Sequence, residues 1–256
     1  IIPSEKVVQA RLVVKDEGII CGLKIFGEVF SLLDKKIKFK SVAKDGQKVR
    51  KGKIAGILVG SARAILAGER TALNFIQHLS GIATLTSRFV QKVKGTKAKI
   101  YDTRKTLPGM RALAKYAVLC GGGYNHRFSL SDMALIKDNH LILIKDIQSA
   151  VKSVRNKNRG IKVEIECKNL NQVSLALWAK ADLIMFDNMD INTIKKALKM
   201  VRDFSKFGSY HPQTEVSGGV TLNTVRNFAK TGVDRISVGA LTHSAPSLDI
   251  SLEFGK

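Results

Sequence analysis

Apolar positions change their spacing along the chain, and the changes divide it into segments. In "KVVQARLVVKDEGIICG" and again in "KIKFKSVAKDGQKVRKGKIAGILVG", apolar and polar residues alternate, the period of strands with one face in water. The stretch between them, "KIFGEVFSLLD", has helical spacing, and Asp45-Gly46, Gly52 and Gly56 are turn signals between short strands. Residues 1 to about 64 thus predict a small sheet with one helix. Leu73, Ile76, Leu79, Ile82, Leu85 and Phe89 then recur at helical steps, predicting a long helix from about Ala62 to Val93 with a break at Ser80-Gly81.

From Lys97 onward a short apolar run followed by an amphipathic helix repeats. The runs "AKIY", "MALIK", "KVEIEC", "DLIMFD", "TEVSG" and "RISVGA" read as strands. The helical patterns carry Met110, Leu113, Ala114, Ala117 and Val118; then Ile147, Ala150, Val151 and Val154; then Ile194, Ala197, Leu198 and Val201. Asp146, Asp190 and Thr221 stand at helix N-cap positions, and Gly232 at a helix stop. A succession of βα units implies parallel strands.

The runs end in reactive side chains: Asp102 to Lys105, Lys137, Glu166, Asp187, Ser217 and Gly239. In a closed α/β barrel all strand ends converge on one mouth, whereas in an open doubly wound sheet only the switch-point strands share a site, so six contributing strands favour a barrel. The stretch 97–246 is short of the ~250 residues typical of eight units. The expected fold is therefore α/β: an incomplete α/β (TIM-like) barrel of about six to seven parallel strands with a small N-terminal α+β sandwich domain. The expected boundaries are 1–95 for the sandwich, completed by a return of 247–256, and 96–246 for the barrel.

Composition narrows the function classes. With 256 residues, 45% of them hydrophobic and only four prolines, the chain can bury a large core and lacks the signature of disorder. Its longest apolar stretch, "AGILVGSARAILAG", is interrupted by Arg63 well short of ~18 residues, so no membrane span is expected. The chain starts at Ile1 rather than Met, and a preceding segment is expected. Cys21, Cys120 and Cys167 are odd in number, widely spaced and set in apolar runs, which suggests neither a disulfide framework nor a zinc cluster and fits a reducing cytoplasm. Forty-three Lys and Arg against 21 Asp and Glu give a formal charge of +22, which points to anionic partners. Much of that excess, as in "KSVRNKNRGIK" and "TIKKALKMVR", reads as solvated helix surface. No aromatic-interleaved basic motif or known nucleic-acid-binding module is visible, so nucleic acid is not an expected partner.

The strand-end residues sort by charge. Arg104, Lys105, Arg127 and Lys137, with His126, can hold carboxylates or phosphates. Glu166 and Asp187 form an acidic pair of the kind that suits a hydrated Mg2+ carried in by a phosphorylated substrate. The glycine-rich segments "SGGVTLN" and "SVGALTHSAP" stand where barrels bind phosphate through backbone N–H groups. Singly these signals are weak: an SGG is more often only a turn, and an acid ending a strand is as often a helix cap. His78 and His211 read as structural or solvated. Recurrence at one structural level carries the weight.

Taken together, "GERTALNFIQHLSGIAT", "DTRKTLPGMR", "GGGYNHRFSLSDMALIKDNH", "VEIECKN", "LIMFDNM", "EVSGGV" and "SVGALTHSAPSLDISL" closely resemble the quinolinate phosphoribosyltransferase family, from about residue 55 to the end. The resemblance implies reaction of quinolinate with 5-phosphoribosyl 1-pyrophosphate to give nicotinate mononucleotide, pyrophosphate and CO2 in NAD synthesis. It assigns Arg104, His126, Arg127 and Lys137 to the dicarboxylate, with Thr103 beside them. Arg70 is the arginine that reaches in from a neighbouring subunit of a homo-oligomer, and Lys105 is a pyrophosphate contact. Glu166 and Asp187 serve the ribose and Mg2+ and, with Lys105, are the expected catalytic groups. Ser217, Gly218 and Gly219, with Val238, Gly239, Ala240 and His243, match the phosphate loops. Arg111 and Lys115, on the intervening helix, are expected at the surface. The family often has threonine where Leu107 stands and alanine where Val216 stands, which removes no charged group. A nicotinate-using or molybdenum-transport-associated relative is the alternative, and the number of cations favours a dicarboxylate.

Overall fold

The structure, a computed structural model, describes residues 1–144, 146–206 and 208–255, and of Asp138 the backbone alone. In chain order the elements are β1 (Val7–Val14), β2 (Gly18–Ile19), α1 (Leu23–Leu33), β3 (Lys38–Ser41), β4 (Lys48–Val49), β5 (Ile54–Ser61) and α2 (Ala62–Val93). There follow β6 (Lys99–Tyr101), α3 (Arg111–Cys120), β7 (Ala134–Ile136), α4 (Asp138–Leu143), α5 (Ile147–Lys157), β8 (Val163–Cys167) and α6 (Leu170–Trp178). The last are β9 (Leu183–Asp187), α7 (Ile191–Ser205), β10 (Gln213–Ser217), α8 (Val225–Ala229), β11 (Arg235–Ser237), α9 (Ala240–His243) and β12 (Ile250–Phe254). They pack as two compact units: Ile1–Arg88 with Lys105–Gly123 and the chain from Ala240 onward, and Phe89–Arg104 with Tyr124–Gly239.

The first unit contains the antiparallel sheet β12-β1-β5-β3 and the short pair β2-β4. Its inward alternates Leu12, Val14, Leu58, Ile250 and Leu252 bury against Phe26 and Phe30 of α1 and Ile65 and Ile76 of α2, forming one apolar core. The N-cap of α1 is Gly22, which has no side chain to offer; Asp45 supplies it from the turn ahead of β4, accepting from Gly22 N (3.0 Å) and Leu23 N (3.1 Å).

Helix α2 runs unbroken through the expected break at Ser80-Gly81. Both residues are there for close approach. The Ser80 hydroxyl accepts from Cys21 N (2.9 Å), and a Cβ on Gly81 would lie 2.2 Å from the Pro246 carbonyl oxygen. A glycine that admits a neighbouring backbone carries the same sequence signature as one that ends a helix.

Residues 105–123 and 240–246 pack with the first unit, whereas the sequence boundaries at 95/96 and 246/247 group them with the barrel. The reason lies in α3: Tyr116 donates to Asp45 Oδ2 (2.9 Å), and a Cβ on Gly121 would lie 2.4 Å from the Ala83 carbonyl oxygen of α2. Lys115, expected at the surface, is 2% exposed on the packed face of this helix, and Arg111 is half-buried.

The second unit carries the parallel sheet β6-β11-β10-β9-β8-β7. A parallel bridge between Tyr101 and Tyr124 adds one rung beyond β6, and among the described residues no ladder joins β7 to β6, so the barrel is incomplete. All five residues of β8 are buried, as in a sheet covered on both faces. Asp146 caps α5 by accepting from Gln148 N and Ser149 N, and Asp190 caps α7 by accepting from Asn192 N and Thr193 N. Thr221 does not cap a helix: α8 starts only at Val225, and Thr221 instead shapes a turn, its N–H donating to Thr224 Oγ1 at 3.0 Å. Gly232, with φ of +89°, follows α8 as expected of a helix stop. Among the described residues no helix is long and apolar enough to cross a membrane.

Candidate active site at the strand ends of the second unit

Strand alternation puts Glu164 and Glu166 on one face of β8, Glu215 and Ser217 on one face of β10, and Arg235 and Ser237 on one face of β11. Register sets Glu215 beside Arg235 and Asp187 beside Ser217. Polar side chains from neighbouring strands are thereby stacked in levels toward the carboxyl ends.

Two loops carry the guanidinium groups. One leaves β6 through Asp102, Thr103 and Arg104; the other runs from Tyr124 to Arg127. Asp102, fully buried, ties them: its N–H donates to Tyr124 O (3.0 Å), and its Oδ1 accepts from His126 N (2.8 Å). Arg127 donates from Nη1 to Met133 O at 2.9 Å. Burial and then the charge of Arg104 hold the Arg127 guanidinium below its ordinary pKa. The Arg104 Nε is buried and, among the described residues, has no hydrogen-bond partner. Two like charges near one another suit an anion with two negative groups.

Lys137 follows β7 and is exposed, its Nζ 3.4 Å from Glu166 Oε2, while Glu166 itself is 8% exposed. Asp187 Oδ2 accepts from Asn188 Nδ2 (3.0 Å), and Asn188, at φ of +52°, donates from its N–H to Ser217 O (2.9 Å). Gly218 has φ of +93°, and a Cβ there would meet Asn188 Oδ1 at 2.2 Å; Gly219 has φ of +59°. Only glycine serves at the first position, for space as well as conformation. Val238, expected in a phosphate loop, is buried and spends its N–H on Tyr101 O (3.0 Å), which leaves that donor to the sheet. Gly239 follows it, half-buried.

The remaining expected residues belong to the first unit. Arg70 is exposed on α2, and Lys105 is exposed, with its carbonyl accepting from Thr242 Oγ1 at 2.7 Å. Ala240 opens α9, and the exposed His243 closes it with Nδ1 2.5 Å from Ser244 Oγ.

A cluster the sequence reading missed lies within the second unit. His126 is 8% exposed, and its Nε2 is 3.1 Å from Glu164 Oε2 and 3.5 Å from Glu215 Oε1. Ser237 Oγ donates to Glu215 Oε1 (2.5 Å), and Arg235, stacked 4.3 Å over the Tyr101 ring, approaches Glu215 Oε2 at 3.8 Å. Burial lifts the Glu164 carboxyl above its usual range, aided by the charge of Glu215. For His126 burial opposes the charged ring, but the two carboxylates outweigh it and push the pKa up to about 9. Against a second ring proton stands the Arg127 N–H, which donates to His126 Nδ1 at 2.8 Å. A protonated Nδ1 would set donor against donor at that distance, so the geometry favours the ring protonated at Nε2 alone. That tautomer also decides the metal question here. Ligand atoms of His126, Glu164 and Glu215 lie within 4.8 Å of one another, but an Nε2 that carries a proton has no lone pair to give. The carboxylates of Glu166 and Asp187, hard oxygens at the ends of adjacent strands, match the donor type of magnesium instead. The available signal for the missed cluster was the spacing: "EIE" and "EVS" place a charge two residues before a named strand-end group, hence on the same face.

Fold and site thus define an incomplete α/β barrel protein with cationic and acidic side chains at its strand ends. Residues 1–80 match the model of the quinolinate phosphoribosyl transferase N-terminal domain, and residues 82–253 that of the C-terminal domain. A probable nicotinate-nucleotide pyrophosphorylase [carboxylating] of Bacillus subtilis is 46% identical over 251 residues, covering 98% of this chain and 84% of that protein. The nicotinate-nucleotide pyrophosphorylase [carboxylating] of Mycobacterium leprae is 40% identical, covering 98% and 88%. Among solved structures, the nicotinate-nucleotide pyrophosphorylase of Ehrlichia chaffeensis superposes with a TM-score of 0.93 at 40% identity, covering 100% of this chain and 90% of that one. The chain belongs to the quinolinate phosphoribosyltransferase family.

Proposed function

We infer that the protein transfers the phosphoribosyl group of 5-phosphoribosyl 1-pyrophosphate to quinolinate with decarboxylation, yielding nicotinate mononucleotide, pyrophosphate and CO2 in NAD biosynthesis. The observation that carries the reading is the Arg104–Arg127 pair, two guanidinium groups tied through Asp102 in a chain of this family. The adjacent carboxylates of quinolinate satisfy two forks, and Lys137 adds a third cation.

Departure of pyrophosphate leaves positive charge on the ribose. The carboxylates of Glu166 and Asp187 stabilise that charge as it develops, a contribution worth more in a site that excludes water. The same two side chains would hold Mg2+, which would supply charge neutralisation at the phosphate oxygens. Lys105 holds the pyrophosphate, and Arg70 comes from the neighbouring subunit of a homo-oligomer. Thr103, Ser217, Gly218 and Gly219, with Gly239, Ala240 and His243, bind the rest of the phosphorylated ribose. Their positive φ values support a loop that turns its backbone toward phosphate at Gly218 and Gly219. Decarboxylation needs no protein nucleophile: CO2 departs and leaves its electron pair on the ring carbon beside the positively charged ribosylated nitrogen, which stabilises it until that carbon takes a proton from water. Three free cysteines fit a reducing compartment, and we place the protein in the cytoplasm.

The experiment is release of CO2 from carboxyl-labelled quinolinate, with 5-phosphoribosyl 1-pyrophosphate and Mg2+ each added and omitted. Release that requires both supports the reading. Turnover of nicotinate and not of quinolinate would sink it in favour of a monocarboxylate enzyme. The human nicotinic acid phosphoribosyltransferase shares the fold alone, at 12% identity and a TM-score of 0.60.

A further inference from the structure

Two thiols that are remote in sequence meet inside the first unit, and the reaction described above uses neither. Cys21 lies between β2 and α1 and is fully buried. Ser80 of α2 holds both of its backbone polar groups: the hydroxyl accepts from Cys21 N (2.9 Å) and donates to Cys21 O (3.2 Å). Cys120 is the last residue of α3 and is half-buried. The turn at Asp45-Gly46 brings the two together. Asp45 accepts from Gly22 N and Leu23 N through one oxygen and from Tyr116 Oη through the other. It therefore joins the residue after Cys21 to the residue one turn before Cys120 on the same face of α3. Gly46 N donates to the carbonyl of Ile20, the residue before Cys21, at 2.9 Å. A Cβ on Gly46 would lie 3.4 Å from the Cys120 carbonyl oxygen, so the same turn borders both cysteines.

The sulfurs themselves are within hydrogen-bonding reach of each other, with Cys21 the donor. That contact and then burial push the Cys21 thiol up, while the same contact holds Cys120 below the ordinary thiol value against its partial burial. Cys120 is thus the more ionisable and the more exposed of the pair, and these two properties decide which thiol meets an oxidant first. Metal binding does not account for the pair: among the described residues no third ligand atom of His, Cys, Asp or Glu groups with the two sulfurs. Cys167 is a thiol of the opposite kind, buried in β8 and pushed up to about 12 by that burial.

We propose that Cys120 is a peroxide-reactive thiol, that Cys21 resolves its oxidised form, and that the resulting disulfide staples the end of α3 to the segment ahead of α1. The Cys120 thiolate attacks one oxygen of hydrogen peroxide, the O–O bond breaks, and the departing hydroxide takes up the thiol's proton as water. Cys21 then attacks the sulfur of the sulfenic acid so formed. The S–O bond breaks, the S–S bond forms, and the hydroxyl leaves with the Cys21 proton as a second water. Two thiols are oxidised, one peroxide is reduced, and a dithiol reductant reverses the link. Such a bond is compatible with a reducing compartment because it forms only under oxidant. It closes a loop of about 100 residues, a length at which a cross-link removes much of the unfolded chain's freedom.

The test takes the full-length protein, reduced and then freed of reductant, treats it with hydrogen peroxide, and counts thiols after denaturation. The expected result is one free thiol, a mass lower by two hydrogens, and a proteolytic fragment that joins Cys21 to Cys120, all reversed by dithiothreitol. The melting temperature of the oxidised form is expected about 5 °C or more above that of the reduced form. Retention of all three thiols, a bridge to Cys167 or between chains, or sulfinic acid on Cys120 beside a free Cys21 overturns the proposal. An unchanged or lowered melting temperature also overturns it. Cys120→Ser, treated in the same way, is expected to keep both remaining thiols, because Cys21 and Cys167 are buried. Loss of the Cys21 thiol there as fast as in the unsubstituted protein would place the first attack elsewhere and overturn the assignment. None of these readouts involves quinolinate or its turnover, so this inference stands or falls apart from the functional reading.

Discussion

In the sandwich of the first unit the side chains that alternate with the core go to water; in the second unit they go inside. Along β1 and β3 the polar alternates Gln9, Arg11, Lys38 and Lys40 are exposed, while Ala10 and Leu12 between them join an apolar core. Along β8 and β10 the charged alternates are Glu164, Glu166 and Glu215, all buried. The period is the same. The difference is cover: an antiparallel sheet can leave one face wet, whereas a parallel sheet wound with helices on the outside encloses its other face. A charge in a sandwich strand is therefore a solvated residue, and a charge in a barrel strand must find a partner or serve a ligand.

The contrast can be broken at several points, taken here from the largest effect to the smallest. Glu215→Leu strips the counter-charge from Arg235 and a carboxylate from beside His126 Nε2, and the expected loss is about 3–5 kcal/mol, read as a fall in the urea midpoint. A loss under about 1 kcal/mol in that titration would mean the buried charges are not coupled. Lys105→Ala should leave the midpoint alone and lower kcat about 10²- to 10³-fold, since its charge acts on what develops in the transition state; near-normal turnover would remove it from the machinery. Leu58→Ala in the sandwich is expected to cost about 3 kcal/mol of stability with kcat unchanged below the melting range, because Leu58 is 1% exposed and lies in the apolar core. Gly218→Ala should cost about 1–3 kcal/mol in strain and contact with Asn188 and raise the KM for 5-phosphoribosyl 1-pyrophosphate more than that for quinolinate. Glu253→Ala, removing an exposed partner of Lys15, should change neither stability nor activity measurably. A large effect there would show that the wet face of the sandwich is covered by something.

Much of this protein is written locally. The strands from "AKIY" to "RISVGA" were legible as apolar runs, each of them is a strand of the parallel sheet, and Asp146 and Asp190 were legible as caps because a cap is a matter of three adjacent residues. The strand-end groups were legible too, since a polar residue ending an apolar run is a local event. Arg104, Arg127, Glu166 and Asp187 could be named before any coordinates. Their arrangement could not. Glu164, Glu215 and Arg235 come from three strands and meet His126 only through register and loop packing. Lys115 reads as one more surface lysine on an amphipathic helix, and its burial reflects the packing of α3 within the first unit, where Tyr116 meets Asp45 across 71 residues of chain. Gly81 looked like a break because glycine is ambiguous until its neighbour, here Pro246, is in place. The sequence by itself determined the elements, their order and the chemical groups at their ends, because spacing and capping act over a few residues. Only the tertiary structure decided which alternates face inward and which charges stand together, because both depend on what covers each face of a sheet.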